Sequence, residues 1–390
     1  MPTLHSLKRH LRPLLPLIGI GRAIAVRLNE ATGGGVAGIV EDARTGGVPG
    51  LEWRELIPAE RVQRKPPIPV AGPLPWQYFH NLSGKRRAEG IFRIREARFR
   101  ARYGGDLLTE DRRLVLEVSR DIWPTAAHGA RLHTWRDGVR LAGLTAVLTT
   151  PEARGNFWHW MTELLPRIHL IERSGIRIQD VDTFLVNDTL SSYRLASLRA
   201  LGVPLDRIRV VGSGETFTLE EALVPTLREQ HWDLPAWAAS WLGERLPTGE
   251  WSGGRRLYLT RRNCAFRRLT NEDALLPLLE AAGFEQFEPE RYPLEVQCAA
   301  FRSAEAIIGV HGSAWTLSML CQKGIPFIEL MPSNYVDLCF WTCADFARTR
   351  HHLLMGDGEQ PQEGESPRAR FSDLSVSETH FREALLTAGL

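Results

Sequence analysis

From residue 151 onward, helix-length segments alternate with short apolar runs, and this alternation constrains the fold more than any other feature of the chain. Residues 156–172 read as a helix and Val181 to Val186 as a buried strand. Residues 191–201 read as a helix and Ile208 to Val211 as a strand. A stretch carrying Trp232, Trp237, Trp241 and Trp251 then reaches Ser252-Gly253-Gly254, a linker signal. Beyond it Arg256 to Thr260 reads as a strand. Thr270 with Asp273 reads as the capping box of a helix that stops at Gly283. Phe284 to Phe287, Ala306 to Val310 and Phe327 to Leu330 read as strands, separated by helices over 294–302 and 315–322. Strands that alternate with helices pair in parallel through right-handed crossovers. The pattern occurs on both sides of the linker. The expectation is an α/β fold with two Rossmann-like domains facing a cleft, residues 151–250 and 255–355.

The upstream part reads differently. Gly33-Gly34-Gly35, Gly46-Gly47, Pro66-Pro67, Pro73 and Pro75 make residues 1–75 a tail and loop-rich region. Residues 76–150 read as β-rich. Within them Lys85, Arg86, Arg87, Arg93, Arg95, Arg98, Arg100 and Arg102 stand against two glutamates, and from Ile91 the cations alternate with apolar residues. That is a half-buried strand with a basic outer face, closed by a hairpin at Gly104-Gly105-Asp106. The face is either a polyanion site or a solvated sheet surface. Residues 356–390 read as an exposed loop and a C-terminal tail.

Charge excludes one class of function. The 390 residues hold 48 basic and 46 acidic side chains, net +2, so nucleic acid is not an expected partner. Lysine occurs only at Lys8, Lys65, Lys85 and Lys323; the arginine excess is what a GC-rich genome gives. Cys264, Cys298, Cys321, Cys339 and Cys343 are odd in number and lack CxxC spacing, which fits reduced thiols in a cytoplasmic protein. Near the N-terminus Lys8, Arg9, Arg12, Arg22 and Arg27 flank the apolar stretch Leu14 to Ile20. It is too short and too interrupted to span a bilayer. It fits peripheral contact with the inner membrane, or docking on the protein body.

Open parallel sheets bind ligands at the carboxyl ends of their strands. Two loops are selected. His311-Gly312-Ser313-Ala314 leaves a buried strand and opens a helix whose free amides suit phosphate oxygens. Arg261, Arg262, Arg267 and Arg268 crowd the loop after another strand, and a diphosphate is their natural counter-charge. The competing reading pairs them with Glu272 and Asp273. Glu329 ends the next strand, placed for ribose hydroxyls or for a helix N-terminus. Neither GxGxxG nor GxxxxGK[ST] is present. In the first set Asn156 is an N-cap candidate, and His159, Glu163 and Arg167 share one helical stripe opposite Phe157, Trp160, Met161, Leu164 and Ile168. Pro166 should free the carbonyl of Thr162. A His and a carboxylate in contact could deprotonate a hydroxyl; the alternative is a surface ion-pair row.

Together, Asn156 to Arg167, Tyr258 to Arg262 with Arg268 and Asn271-Glu272, and Gly309 to Ala314 with Glu329-Leu330 resemble glycosyltransferase family 61 in order and spacing. That group includes capsular polysaccharide, xylan and O-linked GlcNAc transferases. The chain departs from the family loop at Val310, Ser313, Ala314, Trp315 and Leu317, and Trp315 would reshape the donor pocket. The resemblance implies a GT-B fold, inversion at the anomeric carbon, and no cofactor or essential metal. The donor would be a nucleotide sugar, UDP-linked in the first instance, and the acceptor a glycan in polysaccharide biosynthesis. Glu163 or His159 would be the base. Arg261, Arg262, Arg268, His311, Gly312, Ser313 and Glu329 would hold the donor, with Asn156 and Arg167 in support. The alternatives are a nucleotide-sugar epimerase and a non-catalytic nucleotide- or glycan-binding protein of the same fold.

Overall fold

The computed structural model describes residues 15–31, 35–121, 124–136, 138–360, 362–363 and 371–390. It is a mixed α/β structure built on two large sheets.

The C-terminal sheet has six parallel strands. In spatial order they are Phe284–Phe287, Arg256–Leu259, Ala306–Val310, Pro326–Met331, Arg350–Met355 and Ile68–Val70. Side chains alternate between its faces. Leu257, Leu259, Ile307 and Phe327 point into one apolar cluster, and Tyr258, Ile308, Ile328 and Leu330 into another. A parallel sheet covered on both faces needs this two-sided hydrophobicity. Counted from Arg256, the first five strands run 2-1-3-4-5, so the order reverses between Arg256–Leu259 and Ala306–Val310. Loops leaving these two strands diverge and open a crevice. They are the Arg261 and His311 loops.

The N-terminal sheet has nine strands. Thr216–Pro225, Val139–Val147, Thr183–Val186 and Ile208–Val210 lie side by side in parallel. Glu89–Arg100 pairs antiparallel with the outer side of Thr216–Pro225, Ala97 opposite Leu219. The boundary expected between residues 150 and 151 therefore runs through one continuous sheet. The hairpin at Gly104-Gly105 is present, with Asp106–Leu108 paired to Arg98–Arg100. Much of the basic outer face is neutralised: Arg93 meets Glu221, Arg95 meets Glu52, and Arg102 meets Asp106 and Asp121.

Segments far apart in the chain complete both sheets. Leu51–Ile57 pairs with Glu89–Arg100, whereas Ile68–Val70 closes the edge of the C-terminal sheet, so strands of the loop-rich region join both sheets. The expected C-terminal tail ends in the helix Glu378–Ala388, whose Phe381 and Ala384 are fully buried on the C-terminal sheet. Of the expected loop over 356–368, residues 361 and 364–368 lie outside the described residues. The capping box at Thr270 does not form. Thr270 Oγ1 donates to the Leu374 carbonyl, and Asn271 exchanges hydrogen bonds with Val376, because the incoming C-terminal segment takes both side chains. The helix Glu272–Ala281 still stops where expected, with Gly283 at φ 74°. The five cysteines are free thiols, four of them buried.

Candidate active site

The helix expected over 156–172 is interrupted by its own proline. Asn156 caps it, its side chain accepting from the amides of Trp158 (2.9 Å) and His159 (3.5 Å). Phe157–His159 is α-helical, Trp160–Leu164 forms a π turn, and Pro166–Arg173 resumes the α-helix. Pro166 has no N–H to offer Thr162, and Arg228 donates its guanidinium to that carbonyl instead. Within this wide turn His159 Nδ1 lies 2.8 Å from Glu163 Oε1. Both side chains are under a tenth exposed, so the stripe is not a surface ion-pair row. Trp160, Met161, Leu164 and Ile168 are core, as expected.

Arg167 leaves the stripe. It donates to the carbonyls of Thr149 (2.7 Å) and Pro225 (2.7 and 3.1 Å), just past two parallel strands. Burial first, and then the Arg120 charge, push its guanidinium down to about 9. It clamps two strand ends together through main-chain oxygens.

The Arg loop separates into two kinds of cation. Arg262 bonds Glu272 at 2.8 Å and also Asp273; Arg268 bonds Asp373 at 2.6 Å. Glu272 is buried and also receives Tyr258 Oη and Thr260 Oγ1, both at 2.5 Å, so it anchors the strand end. Arg261 has no carboxylate within ion-pair distance among the described residues. It donates to the carbonyls of Arg267 (3.1 Å) and Phe266 (3.0 Å), and burial lowers its pKa. Its guanidinium lies directly over Gly312, where a Cβ would strike it. Arg267, beside the ring of Tyr335 (5.5 Å), also has no ion pair among the described residues, and its Nε is buried without a partner. Spacing alone does not distinguish Arg267 from its paired neighbours.

His311 is held by a buried relay. Its Nδ1 lies 2.5 Å from Glu329 Oε1, and His351 Nε2 lies 2.9 Å from Glu329 Oε2. Burial alone would raise the Glu329 pKa, but hydrogen bonds from the two imidazoles hold it down to about 2. Glu329 is therefore not placed to bind ribose or a helix N-terminus; both oxygens are used. His351 gave no signal in the sequence, since 22 residues separate it from Glu329. The turn Ser313–Leu320 is a 3₁₀ helix, and Ser313 and Ala314 at its start are half-buried. Trp315 does not reshape the crevice. It is 1% exposed, bonds the Val310 carbonyl and packs on Phe327, so this departure from the family loop falls in the core.

An aromatic wedge joins the two sides. The Trp158 ring meets Phe340 edge-on at 5.7 Å, and Phe340 lies 4.6 Å from the His311 ring. Trp158 Nε1 donates to the His231 carbonyl, which brings the His231 ring to 5.9 Å from His159. Each sheet thus contributes one imidazole–carboxylate pair to a shared apolar centre.

The Glycosyltransferase 61 family model matches residues 157–328, a span from the capped helix to the strand that carries Glu329. No curated protein matches the chain.

Proposed function

We propose, for a chain that belongs over residues 157–328 to glycosyltransferase family 61 and is a glycosyltransferase, an inverting transfer of a sugar from a nucleotide-diphosphate donor, UDP-linked, to a glycan hydroxyl in polysaccharide biosynthesis. The two sheets are read as the halves of a GT-B cleft. The observation that carries the mechanism is the pair of imidazole–carboxylate contacts on either side of the Trp158–Phe340 wedge.

The diphosphate rests in the crevice of the C-terminal sheet. Arg261 and Arg267 lack carboxylate partners there among the described residues, and the Ser313 and Ala314 amides add donors beside His311. The acceptor approaches from the N-terminal sheet. With Nδ1 engaged by Glu163, the free basic atom of His159 is Nε2. It takes the acceptor proton while the acceptor oxygen bonds the anomeric carbon and the carbon–phosphate-oxygen bond breaks. Glu163 holds the imidazolium that forms. Two arginines neutralise the leaving charge, so activity should survive chelation of divalent cations.

Supplying a panel of nucleotide sugars with and without glycan acceptors, and identifying the products by mass spectrometry, tests the reading. A lengthened acceptor and released nucleoside diphosphate are expected. An isomerised donor with no acceptor consumed would make the protein an epimerase, and donor binding with no turnover a binding protein.

We read the protein as cytoplasmic, in peripheral contact with the inner membrane. Ile20, Ile24 and Leu28 of the helix Leu15–Ala31 lie one turn apart and are more than half exposed. No helix among the described residues is long and apolar enough to cross a membrane. Flotation with anionic vesicles should recover the protein, and Ile24→Glu should weaken it.

A further inference from the structure

The basic run that opens at Lys85 has a second consequence. Its first three residues, Lys85, Arg86 and Arg87, do not lie on the neutralised strand face. They line a cavity of about 220 Å³ with Arg120 and Arg228. The volume is below the roughly 300–1,000 Å³ of pockets for drug-sized ligands, and suits one residue of a glycan rather than a nucleotide. Thr226, just past the strand Thr216–Pro225, forms part of the wall, so the cavity opens at a strand carboxyl end in the N-terminal sheet. A second, much smaller pocket of about 10 Å³ shares Glu89, Arg120 and Arg228 with its wall and is also lined by Glu163.

The lining carries six basic side chains and four carboxylates. Pairing accounts for most of them. Arg44 meets Glu117 at 2.6 Å, Arg86 meets Asp233 at 2.5 Å, and Arg87 meets Glu229 at 3.1 Å. Arg228 serves the Thr162 carbonyl and lies 3.7 Å from Glu89. Lys85 at the exposed mouth and Arg120 deeper in have no carboxylate within ion-pair distance among the described residues. Arg120 is the notable one, because a partly buried cation with no partner costs free energy unless a ligand completes it. Burial lowers its pKa, and Glu163 and Glu229 oppose this only through space. Glu163 is already engaged by His159.

We propose that this cavity receives the sugar residue carrying the acceptor hydroxyl, and that Arg120, with Lys85 at the entrance, binds an oxyanion on that residue. The acceptor is then an acidic glycan, bearing a carboxylate or a phosphate. An anion held at Arg120 fixes the sugar at the wall shared with the pocket that Glu163 lines, and so toward His159. This inference rests on the glycosyltransferase reading above and adds the acceptor class to it.

The test pairs acceptors that differ only in charge: a uronic-acid oligosaccharide with its carboxyl-reduced form, and a phosphorylated oligosaccharide with its dephosphorylated form. Each is assayed with wild type, Arg120→Gln and Arg120→Lys. Wild type should prefer one anionic member by roughly ten- to a hundredfold in kcat/KM, the range of a hydrogen bond to a charged group. Which pair shows the preference distinguishes carboxylate from phosphate. Arg120→Gln should erase the preference by raising acceptor KM while leaving donor KM unchanged, and Arg120→Lys should restore part of it. Equal use of charged and neutral acceptors by wild type, or a preference that survives Arg120→Gln, would overturn the proposal. Donor hydrolysis without acceptor is measured alongside. A protein that hydrolyses donor but ignores acceptor charge keeps the glycosyltransferase reading and loses this one. A protein that turns over no donor loses both.

Discussion

The two imidazole–carboxylate pairs look alike and are built in opposite ways. His159 and Glu163 are four residues apart on one helix, and only one Glu163 oxygen is engaged by the imidazole. His311 and Glu329 lie 18 residues apart, one just past a strand and the other inside its neighbour, and His351 consumes the second oxygen. A carboxylate saturated by two imidazoles and held to about 2 stays anionic and fixes His311 in one orientation. That suits a rigid crevice that keeps one shape and one charge state. A carboxylate with one oxygen spare, beside a cavity that brings a hydroxyl, suits a group that must accommodate a moving proton. The difference assigns leaving-group stabilisation to the C-terminal half and proton removal to the N-terminal half.

Five substitutions can break or sharpen that contrast. Arg261→Ala should have the largest effect, a loss of about 10²–10³ in kcat or more, because it removes an unpaired donor from the developing diphosphate charge. Nucleotide release with saturating acceptor would measure it, and retention of full activity would remove Arg261 from the site. His159→Ala should cost about 10²–10⁴ in transfer. Glu163→Gln should cost less and shift the acid limb of the rate profile, as expected of a group that acts through His159. An equal loss in both, with donor hydrolysis untouched, would instead favour Glu163 as the base.

Glu329→Gln should act through stability as well as through donor KM. Its folded pKa is depressed, so its contribution is present above the ordinary carboxylate value and lost as pH falls toward about 2. Wild type should lose Tm steadily below about pH 4.5, and Glu329→Gln should lose less over the same interval while starting lower. His352 loses its contribution in a higher window. Burial first, then Arg350 and His351, lower it to about 4, so its share fades between its ordinary value and that point. The two windows can be separated by thermal unfolding at closely spaced pH values. The smallest effect is expected for Arg268→Ala, which gives up a surface pair with Asp373. Donor KM should stay within about twofold of wild type, and a loss as large as that of Arg261→Ala would mean that the loop rearranges on the donor.

Much of the architecture was legible because it is local. The strand runs at 284–287 and 306–310 are where the apolar clusters put them. The Asn156 cap, the break at Pro166 and the His159–Glu163 contact follow from helical spacing and from the proline's missing N–H. Four cations in one loop signalled an anion site. They could not show which two are already paired, since Asp373 approaches Arg268 from 105 residues away. The capping box at Thr270 failed for the same reason: a distant main-chain carbonyl competed for the hydroxyl and won.

What the sequence determined by itself is the set of short-range facts: alternating elements, the Asn156 cap, and a base pair spaced along one helix. Periodicity and backbone chemistry act over a few residues and need no partner. The tertiary structure decided the rest. It carried Ile68–Val70 to the far edge of the C-terminal sheet, brought His351 to Glu329, and left Arg120 beside Glu163 with no ion pair among the described residues. Each depends on which strands become neighbours, and that is set by burying a whole core rather than by any single segment.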